Sequence, residues 1–196
     1  MKRLRSNAGY SLVELMVVMA VMGVLAAFAI PVVASTSSSI KLRGQAEDVS
    51  NLVGLAKMRA TARFSKARVF VDQAAQTFVL QIWDSAAKKW VNDNASATLP
   101  FGVTFSYGKL ADPPPETQDE IKFAAECTND AGDKMEKTSC INFNSRGIPI
   151  DSAGVPVGGN AFYLTDGTGV RAVTVTATPL IRDWWSSAAK SGWVRQ

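Results

Sequence analysis

The sequence predicts an α+β chain: one long N-terminal α-helix packed on an antiparallel β-sheet head. Three observations predict it. Leu15–Ala34 carries no charge and directly follows Glu14. Beyond it, Leu42, Val49, Leu52, Val53, Ala56 and Ala60 recur at helical spacing among Lys41, Arg43, Glu47, Asp48, Lys57 and Arg59. From Ala67 the period turns from helical to alternating, and short apolar runs separated by turn residues follow. A long helix followed by many short strands is an α+β layout with the sheet wrapped on the helix.

The first half of the helix has the length of a membrane span. Twenty helical residues at 1.5 Å each reach roughly 30 Å, the thickness of a hydrocarbon core. Lys2, Arg3 and Arg5 lie ahead of the stretch, so the positive-inside bias leaves that end in the cytoplasm and everything after Ala34 outside. The polar run Ser35–Ser39 reads as the exit from the membrane, and the amphipathic half continues to about Ala62 with its apolar stripe on a sheet. A secretory signal would lose its anchor at a small-residue site, and Ala26-Ala27-Phe28-Ala29 or Val33-Ala34-Ser35 fits that pattern. Glu14 argues against such a cut, because a carboxylate at the edge of an apolar helix costs a few kcal/mol in lipid and such groups usually have a dedicated partner. Two readings of Glu14 stand: solvation at headgroup level, or pairing with a positive charge on another helix of the same kind.

The strands follow in order. Arg68–Val71 and Thr77–Trp83 form a pair turning between Asp72 and Gln76, Lys88–Val91 adds a third strand and Val103–Tyr107 a fourth. Asp112-Pro113-Pro114-Pro115 is a loop, since proline lacks the ladder donor. Further strands are expected at Ile121–Ala124, Cys140–Asn144, Asn160–Thr165 and Val170–Thr178, the last with Val173 and Val175 on one face and Thr174 and Thr176 on the other.

The N-terminal residues Ala8-Gly9-Tyr10-Ser11-Leu12-Val13-Glu14-Leu15, with Pro31 further on, closely resemble the class III signal of type IV pilins and pseudopilins. The resemblance implies the type IV pilin fold, with residues 1–9 as leader peptide, 10–34 as transmembrane and filament-core helix, and 35–196 as the periplasmic amphipathic helix and head. It implies cleavage by prepilin peptidase between Gly9 and Tyr10, N-methylation of Tyr10, and a role for Glu14 in neutralising the terminal ammonium of a neighbouring subunit. Pro31 stands where the family carries a proline that bends the helix, which is physically sensible because proline removes one backbone hydrogen bond. Tyr10 departs from the usual phenylalanine but remains aromatic. Loss of Lys2, Arg3 and Arg5 on such a cut lowers the formal net charge of +4 by three, leaving little attraction for polyanions.

Ile141-Asn142-Phe143-Asn144-Ser145-Arg146-Gly147 narrows the resemblance to the GspH/FimT branch of minor pilins and pseudopilins, with Ala111–Ser139 as an insertion. Arg146-Gly147 itself reads as a turn, glycine supplying a positive φ. The implied partners are the prepilin peptidase, other pilin or pseudopilin subunits and the inner-membrane assembly platform. The implied location is the bacterial inner membrane, single-pass with a periplasmic head, and then a pilus or a type II secretion pseudopilus. The resemblance brings no cofactor.

Cys127 and Cys140 are the only cysteines, and a pair on the oxidising side of a membrane is expected to form a disulfide. Two cysteines in a chain without histidine are too few for a zinc site, so no metal is expected. The missing histidine also removes the usual nucleophile-activating base, and no glycine loop has phosphate-binding spacing, so no catalytic residue is assigned. Glu116, Asp119 and Glu120 read as a solvated loop face. The alternative function is DNA binding in uptake, because some FimT-type proteins use a Gly-Arg-x-Arg pattern near the C-terminus. Arg182 and Arg195 each keep one arginine of it and lie near Trp184, Trp185 and Trp193, where aromatics beside cations can stack bases. The competing reading has those tryptophans completing the sheet edge or burying against a neighbouring subunit.

Overall fold

A computed structural model describes residues 10–196 apart from Asn94 and Ala189, with the side chains of 28–36, 190 and 191 outside the description. The chain divides into two compact units, one ending at Ser37 and the other spanning Ser38–Gln196.

Helix α1 runs Leu12–Ala62. Its start is set locally: the Ser11 hydroxyl accepts the Glu14 amide at 3.3 Å, and the Ser11 carbonyl accepts the Leu15 amide at 3.1 Å. Ser11 is therefore the N-cap and Glu14 the third helical residue, the spacing of a capping box. Along the second unit, Leu42, Ala46, Val49, Leu52, Val53, Ala56 and Ala60 are buried, three or four residues apart. The opposite face is polar, with Arg43 and Glu47 paired one turn apart at 2.7 Å.

Two antiparallel sheets meet this stripe, rather than the single sheet expected. The first contains β1 (Ala67–Asp72), β2 (Thr77–Asp84), β3 (Lys89–Asn92), β4 (Ala97–Thr98), β6 (Thr138–Phe143) and β7 (Pro149–Ile150), in the order β3-β2-β1-β6-β7 with β4 also on β2. The second contains β5 (Thr104–Phe105), β8 (Asn160–Thr165), β9 (Gly169–Val175), β10 (Ile181–Ser187) and β11 (Lys190–Arg195), in the order β11-β10-β9-β8-β5. The β1–β2 hairpin turns where expected: Asp72 Oδ1 accepts the amides of Ala74 and Ala75, and Gln76 takes a φ of 55°. At the turn after β6, Asn144 Oδ1 accepts the amides of Arg146 and Ile148, and Gly147 has a φ of 72°. A Cβ on Gly147 would lie 3.2 Å from Lys57 Cγ, so the turn is pressed onto α1.

The core lies between the α1 stripe and the inner faces of both sheets. Val69, Val71, Phe78, Leu80, Ile141 and Phe143 come from the first sheet, and Phe162, Leu164, Val173 and Val175 from the second. Each such side chain contributes about 1.5–3 kcal/mol on leaving water. A second cluster covers the outer face of the second sheet, where Tyr163, Ala172 and Trp184 meet Tyr107, Leu110, Ile121 and Phe123. Thr174 faces outward while Val173 and Val175 face the core, as the alternation requires.

Several expectations are corrected. Ile121–Ala124 is not a strand; its one backbone–backbone bond to a sheet is the Ala124 amide at the Ala161 carbonyl, while the Gln118 carboxamide bonds the carbonyls of Lys122 and Gly159 and accepts from Tyr163 Oη at 2.7 Å. Side-chain fastening thus replaces a ladder in this proline-led segment. The fourth strand shrinks to Thr104–Phe105, and the last expected strand stops at Val175, ahead of the turn to Leu180. Strands β4, β7, β10 and β11 carried no sequence expectation.

Candidate functional site

The first unit holds the described part of the N-terminal motif. Gly9 and the residues before it lie outside the described residues. Tyr10 is 86% exposed ahead of the helix. Glu14 lies in the first turn of α1 and has no ion pair among the described residues. Its carboxylate sits in the first turn, where amides without partners inside the helix favour negative charge. From Leu12 to Leu25 the large apolar side chains, including Val13, Leu15, Met16, Val17 and Val24, are all exposed. Among the described residues no helix is long and apolar enough to cross a membrane. The expected span Leu15–Ala34 runs on into residues whose side chains lie outside the description. Pro31 falls within α1, and its side chain is among them. The Ser11-x-x-Glu14 capping pattern was readable in the sequence and identifies Ser11 as a further residue that fixes where Glu14 stands.

In the head, Cys127 and Cys140 form a disulfide that ties the insertion to β6. Hydrogen bonds reinforce it: the Met135 amide to the Cys127 carbonyl and the Cys140 amide to the Ala125 carbonyl, both 2.8 Å, and Ser139 Oγ to the Ala124 carbonyl at 2.7 Å. Arg68, buried on β1, adds a clamp from the sheet. Its Nη1 donates to the Thr128 carbonyl at 2.7 Å, its Nε to Gln81 Oε1 at 2.8 Å, and its guanidinium lies 3.9 Å from the Trp90 ring centre. Burial lowers its pKa to about 10 despite the opposing charge of Asp130.

The structure separates the residues expected near DNA. Trp184 is buried and its indole donates to Thr174 Oγ1 at 3.0 Å, so it has no open face for a base. Trp193 donates to the Asp112 carbonyl at 2.9 Å and lies 6.1 Å from the Tyr163 ring. Trp185 keeps a partly exposed surface. Arg182 is half-buried, its Nε enclosed without a hydrogen-bond partner, while Arg195 is exposed on β11 opposite Trp184. Glu116, Asp119 and Glu120 are exposed, and no group of three or more His, Cys, Asp or Glu side chains could hold a metal ion among the described residues.

A family model described as the prokaryotic N-terminal methylation motif matches residues 4–30. The match takes in the start of α1. Among solved structures, the minor pseudopilin EpsH from the type 2 secretion system of Vibrio cholerae is similar over 76% of this chain and 99% of its own, at 12% identity and a TM-score of 0.45. A crystal structure of the same protein aligns over 73% of this chain and 92% of its own, at 14% identity and a TM-score of 0.44. No curated protein matches this chain.

Proposed function

We propose that the chain is a structural minor subunit, a minor pilin or minor pseudopilin, assembled through α1 into a type IV pilus or a type II secretion pseudopilus. The observation that carries this is the methylation motif at residues 4–30 on a helix whose large apolar side chains from Leu12 to Leu25 are left uncovered. Prepilin peptidase cuts between Gly9 and Tyr10, the new amine of Tyr10 is methylated, and the helix waits in the inner membrane with its head in the periplasm. An inner-membrane platform then transfers it into the filament. Glu14 sets the register, its carboxylate meeting the terminal ammonium of a neighbouring subunit in surroundings too apolar to leave either charge alone. Pro31 bends the helix where the packed subunits require it. The role is mechanical, and no residue is assigned to catalysis.

The test is a Glu14→Ala chain expressed in its own host beside the wild type. It should be cleaved and inserted normally, yet its recovery in sheared filaments should fall at least about tenfold, a loss of about 1.4 kcal/mol or more. Normal incorporation would contradict the role of Glu14. Deleting the gene and scoring surface filaments and secreted enzymes side by side separates pilus from pseudopilus. No geometric observation favours the DNA reading, in which Arg182 and Arg195 make phosphate contacts; a gel shift of the full chain abolished by Arg182→Ala with Arg195→Ala would establish it.

A further inference from the structure

Ser38 marks one end of the head. Its hydroxyl donates to Asp166 Oδ2 at 2.7 Å, in the turn between β8 and β9. The turn between β10 and β11 lies against this one, the Ala188 amide donating to the Thr168 carbonyl at 3.0 Å. On the other side of β8, Thr104 of β5 stands opposite Thr165, one residue before Asp166. Just ahead of Thr104 the chain makes a further turn: the Val103 amide donates to the Pro100 carbonyl at 3.1 Å, and Gly102 takes a φ of 90°. That is the positive φ a type II turn requires at its third residue, and it leaves Phe101 at the apex. The Phe101 ring is 99% exposed and belongs to neither core cluster. Because the special backbone angle falls on Gly102, a polar residue would complete the same turn at position 101. The fold asks nothing of this aromatic ring.

Two more large apolar side chains are open at the same end. Ile40 is exposed on α1, two residues past Ser38. Trp185 is partly exposed, and a Cβ on Gly169 would lie 3.1 Å from its Nε1 and 3.7 Å from Leu42 Cδ2, which sets the indole beside the first turn of α1 within the head. Lys41 is exposed there. So is Lys109, next to Gly108, whose Cβ would lie 4.0 Å from Val170 Cγ2, opposite Thr165. Neither lysine has an ion pair or hydrogen bond among the described residues. The carboxylates beside them are occupied: Asp166 accepts from Ser38, Thr168 and Gly169, and Glu47 holds Arg43. Open aromatic rings with free lysines around them suit a membrane–water boundary, rings among the headgroups and ammoniums on the phosphates. Chain length brings the membrane to this surface. Ser38 stands four residues past Ala34, so at most about 14 Å of chain separates it from the end of the expected span.

We propose that this end of the head docks on the lipid surface, with Phe101 inserted among the headgroups, Trp185 at their level, and Lys41 and Lys109 on the phosphates of anionic lipids. The inference rests on the membrane reading proposed above and adds to it a second contact with the same bilayer. The test uses the full chain with Cys127 and Cys140 oxidised, reconstituted at high dilution into vesicles of phosphatidylethanolamine and phosphatidylglycerol. A third cysteine, introduced as Met19→Cys, Phe101→Cys or Phe64→Cys, carries an aromatic fluorophore, and lipid with a doxyl group near the top of its acyl chain is the quencher. Phe101 and Phe64 are both exposed rings, so neither replacement removes packing, and Phe64 lies beyond the opposite end of α1. The labels at 19 and 101 should be quenched and the label at 64 should not. Lys41→Gln with Lys109→Gln should lower the docked-to-free ratio read at 101 about thirtyfold. Quenching at 19 without quenching at 101 would overturn the docking and leave the membrane reading standing, whereas no quenching at 19 would overturn both. Equal quenching at 64, indifference to the lysine variants, or shielding of the 101 label that appears only at high protein density, the mark of a second copy, would each overturn the proposal.

Discussion

The two halves of α1 use apolar residues for opposite ends. From Leu12 to Leu25 the large apolar side chains are exposed whichever way they point, so nothing among the described residues selects a face. From Leu42 to Ala60 the apolar residues gather in a stripe at three- and four-residue intervals that is buried to the last atom at Val49, Val53, Ala56 and Ala60, while Met58 stays exposed. The difference teaches that periodicity, more than hydrophobic content, decides whether a helix is completed inside its own chain. A stripe matches one sheet surface, whereas an all-round apolar helix needs an apolar surrounding.

The sharpest way to break this contrast is one substitution in both halves. Val53→Asp puts a charge into the enclosed stripe and should cost more than about 4 kcal/mol, unfolding the head. Val17→Asp should leave the head's thermal midpoint unchanged and show its effect in membrane insertion instead. Equal damage to the head from both would sink the distinction. A smaller effect is expected from removing the disulfide by Cys127→Ser with Cys140→Ser: about 3 kcal/mol in a urea titration, with the α1 stripe still protected from hydrogen exchange. Loss of stripe protection would mean that the insertion and the helix fold as one unit.

The smallest expected effect concerns Ser38, whose hydroxyl donates to Asp166 Oδ2 at 2.7 Å. Burial alone would raise the pKa of Asp166, but hydrogen bonds from Ser38, Gly169 and Thr168 outweigh it and hold the carboxyl below its ordinary value of 3.8. A depressed carboxyl stabilises the fold above its unfolded pKa and loses that contribution as pH falls through the folded one. Stability should therefore drop below about pH 4, with faster exchange at the amides from Ser38 to Leu42. Asp166→Asn should cost about 1 kcal/mol at neutral pH and flatten that acid response. An unchanged acid slope in the variant would remove Asp166 from the account.

Where local pattern and tertiary role agree, the fold was legible in the chain. Asn160–Thr165 is a strand with the expected ends, and the helical stripe from Leu42 to Ala60 is the buried one. Legibility fails where tertiary context overrides pattern. β10 reads Ile181-Arg182-Asp183-Trp184-Trp185-Ser186-Ser187, and its inner position at Asp183 carries a carboxylate opposite Val173. Burial raises the pKa of Asp183, opposed by a hydrogen bond from Ser50 and the charge of Arg171, so the position is tolerated through α1 and β9 rather than through its own neighbours. Ile121–Ala124 fails the other way: its apolar residues cover a sheet without joining it. At the candidate site, the motif from Ala8 to Leu15 and the cysteine pair were visible because each depends on covalent chemistry at fixed residues. The Arg68 clamp was invisible, since it lies in contacts with Thr128 and Trp90 that no local pattern shows.

The tie between Ser38 and Asp166 spans 128 positions. Translation meets the two in that order, at about 5–20 residues per second. The stripe from Leu42 to Ala60 therefore emerges on the order of ten seconds before β8 and β9 exist to cover it. During that interval only the first sheet, whose strands precede β8 in the chain, is there to receive the apolar helix face. Contacts this distant in sequence also fold slowly once the chain is complete. Biogenesis thus has to shelter the amphipathic half of α1 for as long as the last strands take to arrive, which makes the timing of synthesis a constraint as real as any contact in the finished head.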